Sequence, residues 1–179
     1  MTGTRPPTAV DPPAGPDGRR ELRRVLGSFA TGVTLVTTGR ENPRGMTANS
    51  FASVSLEPAL VLICVLRSAA LHDTLLAEKA FAVSVLSAEQ EPTARRFADR
   101  RRPRGAREFE GVDIEPGRHT GAPILVGALA WLECGLTAVH DGGDHSILLG
   151  SVLDAGRGGD DPALLFHGGA FHHLSPTKV

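Results

Sequence analysis

Apolar residues first recur at helical spacing in residues 19–29. Leu22, Val25, Leu26 and Phe29 fall three and four positions apart and predict a short amphipathic helix. Residues 31–38 switch to a two-residue period, Val33 and Leu35 against Thr34 and Val36, and the β-branched run reads as a strand. Residues 39–45 (GRENPRG) form a turn initiated by Asn42 and Pro43. Residues 46–55 and 59–66 predict a second and a third strand, parted by Glu57 and Pro58. Residues 71–79 are helical, with Leu71, Leu75 and Leu76 on one side, and residues 81–86 alternate as a strand. Residues 88–98 form another helix, with Pro92 suited to its first turn. The last third is mostly strand: residues 124–139, 146–153 and 164–166, returning through Phe171, with Gly142 and Gly143 at the first hairpin turn. Roughly six or seven strands without βαβ alternation predict a mainly β fold, a closed antiparallel barrel with short flanking helices.

Residues 46–55 (MTANSFASVS) carry five small neutral hydroxyl or amide side chains, Thr47, Asn49, Ser50, Ser53 and Ser55, and no charge. Such donors line a pocket for a phosphate or a heteroaromatic edge without filling it. The same pattern also suits the solvent face of an edge strand. The segment alone leaves both readings open.

Composition narrows the setting. A chain of 179 residues is most simply one domain, residues 19–179, behind a Pro/Gly-rich disordered leader over residues 1–18. The formal net charge of −1 gives no field that would recruit nucleic acid or an anionic membrane. No apolar stretch approaches the roughly 20 residues of a membrane span, and the first residues lack the apolar region of a secretory signal. Cys64 and Cys134 lie in apolar runs without CxxC spacing and read as small buried hydrophobes. A soluble, cytoplasmic protein is expected.

The usual catalytic signatures are missing. There is no tyrosine, one tryptophan, no GxSxG and no GxGxxG after a strand, so neither a serine nucleophile nor a Rossmann site is expected. His140, His145, His167, His172 and His173 gather toward the C-terminus without metal-ligand spacing, and no metal site is expected. Asp144 beside His145 at a hairpin tip either orients the ring or caps its own turn. The basic run of Arg95, Arg96, Arg100, Arg101, Arg102, Arg104 and Arg107 reads as a solvated loop, with a lid over dinucleotide phosphates as the other possibility.

Four segments then carry a resemblance: FATGVTLVTT (29–38), GMTANSFASVSLEP (45–58), FAVSVLS (81–87) and GDHSILLGSV (143–152). In this order they resemble the short-chain flavin reductases, which supply reduced flavin to two-component monooxygenases. The similarity runs over about residues 21–174. It implies an FMN-binding split β-barrel, usually a homodimer with flavin near the subunit interface, and a transient partner monooxygenase. It places Thr47, Ala48 and Asn49 beside the isoalloxazine ring, and Ser50, Ser53, Val54 and Ser55 along ring and ribityl chain. Cys64, Arg67 and Ser68 would approach the ribityl-phosphate end, and Phe97 would pack near the flavin. Asn42, Pro43, Arg44, Gly45, His145, Phe166, His167, Gly168 and Gly169 would touch the nicotinamide nucleotide. Ala170, Phe171, His172 and His173 depart from the family's aromatic-then-basic closing strand, which leaves NADH against NADPH open.

The resemblance implies hydride transfer from NADH to FMN, with FAD as the other flavin. Such chemistry requires ring stacking at about 3–3.5 Å more than a side-chain acid. His145 is then a nicotinamide-positioning residue and no catalytic side chain is obligatory. Two other readings of the barrel remain: a flavin- or haem-binding module without turnover, and an oxidase of the pyridoxamine-phosphate kind.

Overall fold

The structure, a computed structural model, describes residues 15–103 and 105–174. Helix α1 (Gly15–Gly27) leads into β1 (Thr31–Gly32), β2 (Thr34–Thr38), β3 (Arg44–Ala48), β4 (Ala52–Leu56) and β5 (Ala59–Leu66). Helix α2 (Ala70–Glu78) precedes β6 (Ala80–Val85), and α3 (Glu91–Ala98) follows a single 3-10 turn at Ala88–Gln90. A second 3-10 segment (Gly105–Phe109) leads to β7 (Ile114–Pro116) and β8 (Pro123–Leu125). The long hairpin β9 (Ala130–Gly142) and β10 (His145–Arg157) and the short hairpin β11 (Leu164–His167) and β12 (Ala170–His173) complete the chain.

Seven strands form one antiparallel sheet in the order β3-β2-β6-β9-β10-β5-β4. Its two edge strands, β3 and β4, are joined by only Asn49, Ser50 and Phe51. Three residues reach no further than about 14 Å between the flanking Cα atoms, so the sheet must curl until its edges meet. This is the split barrel expected from the resemblance. It also corrects the expected strand over residues 46–55, which is two strands broken at a corner. The break falls there because β3 completes its pairing with β2 at Ala48↔Thr34, whereas β4 begins its own with β5 at Ala52↔Leu62.

Other boundaries move for local reasons. Helix α1 begins four residues before the expected start, with Pro16 in its first turn, and ends at a glycine. Residues 15–18 of the expected leader are therefore helical, and residues 1–14 lie outside the described residues. The strand expected over residues 124–139 is split into β8 and β9 around Gly127, whose φ of 74° breaks the extended backbone.

Two apolar clusters fill the molecule. Val61, Ile63, Val65, Phe81, Val83 and Leu148 close the barrel interior, and each large side chain buried there stabilises by about 1.5–3 kcal/mol. Val33, Leu35, Leu86, Ala94, Phe97, Phe109, Leu125 and Leu164 form the second, which binds α3, the loop after it and the β11–β12 hairpin to the barrel wall.

Candidate functional site

A cavity of about 310 Å³ opens between β3, the end of β5 with the start of α2, and the C-terminal end of α3 with the arginine-rich loop beyond it. Arg44, Met46 and Thr47 come from β3, Leu66 from β5, Ser68, Ala69, Ala70 and Leu71 from the turn into α2. Phe97, Ala98, Arg100, Arg102, Pro103 and Glu108 form the opposite wall. Thr47, Ser68, Phe97 and Arg44, four residues chosen from the sequence, are thus brought together.

Each is fixed by the local fold. Thr47 donates its hydroxyl hydrogen to the Ala94 carbonyl at 2.6 Å, tying β3 to α3. Phe97 is buried and packs on Phe109 with ring centroids 5.0 Å apart. Gly45 lies beneath that pair: a Cβ there would meet the Phe97 ring at 2.6 Å. Gly45 is therefore buried, and its carbonyl accepts from Arg102 Nη2 rather than facing a nucleotide.

The cavity sets three guanidinium groups against one carboxylate. Arg102 donates from Nε to Glu108 Oε1 at 2.6 Å and from Nη1 to the Asp99 carbonyl at 2.9 Å. Arg44 Nη1 and Glu108 Oε2 stand 3.8 Å apart, beyond hydrogen-bond reach. Both atoms are buried without any partner among the described residues. A buried N–H donor in this condition costs about 1–3 kcal/mol until an acceptor arrives. Arg102 and Glu108 were not singled out from the sequence as site residues. The basic run reads there as a solvated loop, and only the lone acid between Arg107 and Phe109 marked a place where one arginine could turn inward.

His145 does not itself line the cavity. It opposes Leu66 in the β10–β5 register, and Leu66 lines the cavity. Its Nδ1 lies 2.6 Å from Asp144 Oδ1, and its carbonyl accepts from Arg67 Nε at 3.3 Å. Arg67 Nη2 also lies 3.2 Å from Asp141, so this arginine braces the hairpin tip. Gly143, with φ of 77°, makes the tip turn.

The remaining choices lie elsewhere. The Ser50 hydroxyl bonds to both the N–H and the carbonyl of Cys64, at 3.0 and 3.1 Å. Continued past Ala52↔Leu62, the β4–β5 register would bring residue 50 opposite Cys64, so the side chain substitutes for a missing strand partner. Ala48 is buried, Asn49 is exposed at the corner, and Ser53 and Val54 are exposed on β4. Ser55 accepts from the Glu57 N–H at 3.2 Å. Asn42 and Pro43 sit in the β2–β3 turn and do not line the cavity. Phe166, His167, Gly168 and Gly169 form the β11–β12 hairpin, in a separate three-stranded sheet with β1. That hairpin is pinned to α3: His173 Nε2 lies 2.7 Å from Glu91 Oε2, and Arg95 sits over the Phe171 ring at 4.9 Å. Hydrogen bonds from Arg95 and His173 hold the Glu91 carboxyl below its ordinary value.

Known proteins share both sequence and fold. The model of the flavin reductase like domain matches residues 26–175. A relative from Streptomyces globisporus named NADH-dependent FAD reductase is 52% identical over 93% of each chain. The reductase subunit HsaB of a flavin-dependent monooxygenase from Rhodococcus jostii is 38% identical over 96% of this chain and 82% of its own. The solved NADH:FAD oxidoreductase of Streptomyces globisporus C-1027, in complex with NAD and FAD fragments, superposes with a TM-score of 0.88. It is 48% identical and covers 97% of this chain and all of its own. With the family match over residues 26–175 and a relative 52% identical over nearly its whole length, the chain belongs to the flavin reductase like domain family.

Proposed function

We propose that this protein is an NADH-dependent flavin reductase that binds flavin and nicotinamide nucleotide at the β3–α3 cavity and supplies reduced flavin to a partner monooxygenase. The observation that carries the reading is Arg44 Nη1, a buried donor without an acceptor, beside Arg102 in a cavity with excess positive charge. A phosphate oxygen is the acceptor such a group requires, and flavin nucleotides provide one. Relatives that are NADH-dependent reductases of FAD in one case and of FMN in another agree with either flavin, with NADH as the reductant.

When bound together, NADH and flavin supply the redox chemistry, a hydride passing from the nicotinamide to the flavin. The protein's part is to hold and orient. Arg44 and Arg102 meet phosphate, and Phe97 gives the cavity a rigid apolar wall. Backbone groups of residues 47–49 border the ring. Beside the cavity, His145, the turn at Asn42 and Pro43 and the hairpin at residues 166–169 guide the nicotinamide nucleotide. Glu108 is committed to Arg102, so the cavity offers no free carboxyl to act as an acid.

A homodimer fits the outer sheet face. Leu60, Leu62 and Leu66 of β5 and Ile147 and Leu149 of β10 are only half-buried there, and Leu56 is 94% exposed at the neighbouring edge. A contiguous apolar face of this kind suits a second copy. Two free cysteines and the use of NADH agree with a cytoplasmic setting. No helix among the described residues is long and apolar enough to cross a membrane.

The test is NADH oxidation, followed by loss of its near-ultraviolet absorbance, with and without added FAD or FMN. Turnover that depends on added flavin is expected. A purified protein that retains flavin yet never oxidises NADH would instead be a binding module.

A further inference from the structure

On the far side of β9 from the barrel interior, Glu133 is buried to 1% exposure beneath the loop that joins β7 to β8. Its Oε1 accepts three hydrogen bonds: from the His119 N–H at 3.0 Å, the Thr120 N–H at 2.7 Å and the Thr120 hydroxyl at 2.8 Å. The loop is built around that oxygen, for a Cβ on Gly117 would meet it at 2.3 Å. Anchoring the loop therefore occupies Oε1 alone. The other oxygen, Oε2, is buried without any partner among the described residues. Two more ligating groups converge here. His119 Nε2 lies 3.7 Å from Asp154 Oδ2, and Glu133, His119 and Asp154 each bring a ligand atom within 4.8 Å of the others.

Asp154 reaches this position through a β-bulge. The β9–β10 register shifts between Val152 and Asp154, so that Asp154 and not Leu153 pairs with Glu133. Bulges re-aim side chains in this way. Burial pushes the Glu133 carboxyl up, but the Thr120 and His119 donors outweigh it and hold the group below its ordinary value, ionised at neutral pH.

We propose that His119, Glu133 and Asp154 form a binding site for a divalent transition metal ion, with zinc the fitting probe. One imidazole nitrogen and two carboxylate oxygens suit zinc, whose bonds of about 2.0–2.2 Å put its ligands about 3.3 Å apart. Small rotations of His119 and Asp154, both partly exposed, close the remaining gap. The ion would clamp the β7–β8 loop onto the β9–β10 hairpin, away from the flavin cavity, which these residues do not line. The three ligands come from separate segments with no motif spacing, so no local pattern marks the site.

The test uses the full chain, stripped with EDTA and titrated with zinc chloride by calorimetry. Expected is one zinc per chain, together with a zinc-dependent rise in melting temperature. His119→Ala and Asp154→Asn each weaken binding by about tenfold or more and abolish that rise. Both variants keep the Oε1 hydrogen bonds that fold the loop, and their flavin-dependent NADH oxidation without zinc matches the parent. The proposal is overturned if the parent chain shows no stoichiometric binding. It is equally overturned if both variants bind as the parent does, which would move the zinc to histidines such as His167, His172 and His173.

Discussion

Arg102 lies 2.6 Å from Glu108, and both side chains are withdrawn from water, at 16% and 4% exposure. This pair joins the loop after α3 to the floor of the cavity, where Arg102 also caps the Gly45 carbonyl. Removing the acid leaves two guanidinium groups, Arg44 and Arg102, facing one another without compensation. Breaking a buried pair from one side costs about 3–5 kcal/mol. Glu108→Ala is expected to lower the unfolding free energy by an amount in that range, measured by urea denaturation. A loss below about 1 kcal/mol would mean that solvent reaches the pair.

Arg44 separates binding from folding. Its Nη1 makes no hydrogen bond and stands 3.8 Å from Glu108, so truncation removes a long ion pair and an unsatisfied buried donor together, and the two effects oppose one another. Arg44→Ala should raise the KM for flavin by about tenfold or more, the worth of one charge-assisted bond. The KM for NADH and the melting temperature should change little. Equal loss of both substrates would show that Arg44 meets the nicotinamide nucleotide, as the resemblance implied.

His145 is held from both sides, by Asp144 on its ring and by Arg67 on its carbonyl. His145→Ala is expected to raise the KM for NADH while leaving flavin affinity nearly unchanged. Flavin binding lost with NADH kinetics intact would reverse the assignment.

Much of this was legible in the chain. The β-branched and apolar runs in residues 34–38 and 81–86 mark β2 and β6 because both strands are buried in the barrel wall on both faces, whereas residues 31–32 of the same expected strand pair in the other sheet as β1. The corner at Asn49–Phe51 was not legible, since Ser50 and Ser53 look alike as letters. One replaces a strand partner and the other faces solvent, a difference set by register across the sheet. Arg102 was hidden for a similar reason. Seven arginines between residues 95 and 107 carry the same local signal, and the tertiary position of Glu108 is what turns Arg102 inward.

The corner itself can be tested. Ser50→Ala removes both bonds to the Cys64 backbone and leaves an N–H and a carbonyl of β5 without a strand to pair with. Each unsatisfied group costs about 1–3 kcal/mol where water is excluded. The variant should lose stability within that range, and amide exchange at Cys64 should quicken more than at Ile63. Unchanged exchange at Cys64 would mean that another group closes the barrel corner.

Cys134 gives the chain a dependence on alkaline pH. Its thiol is fully buried beside Phe81, and burial, with a smaller push from the Glu133 charge, drives it up to about 12. In the unfolded chain the same thiol ionises near 8.5. Between these values the unfolded state has released a proton that the folded state retains, so stability falls as pH rises, by at most about 1.4 kcal/mol per pH unit. Below the unfolded value the thiol is protonated in both states and contributes no slope. Cys134→Ala should therefore show a shallower fall in unfolding free energy above about pH 9 than the parent, whatever its loss near neutrality. The comparison isolates the thiol, because lysine and arginine titrate alike in both proteins. Parallel curves would mean that the thiol ionises as readily folded as unfolded.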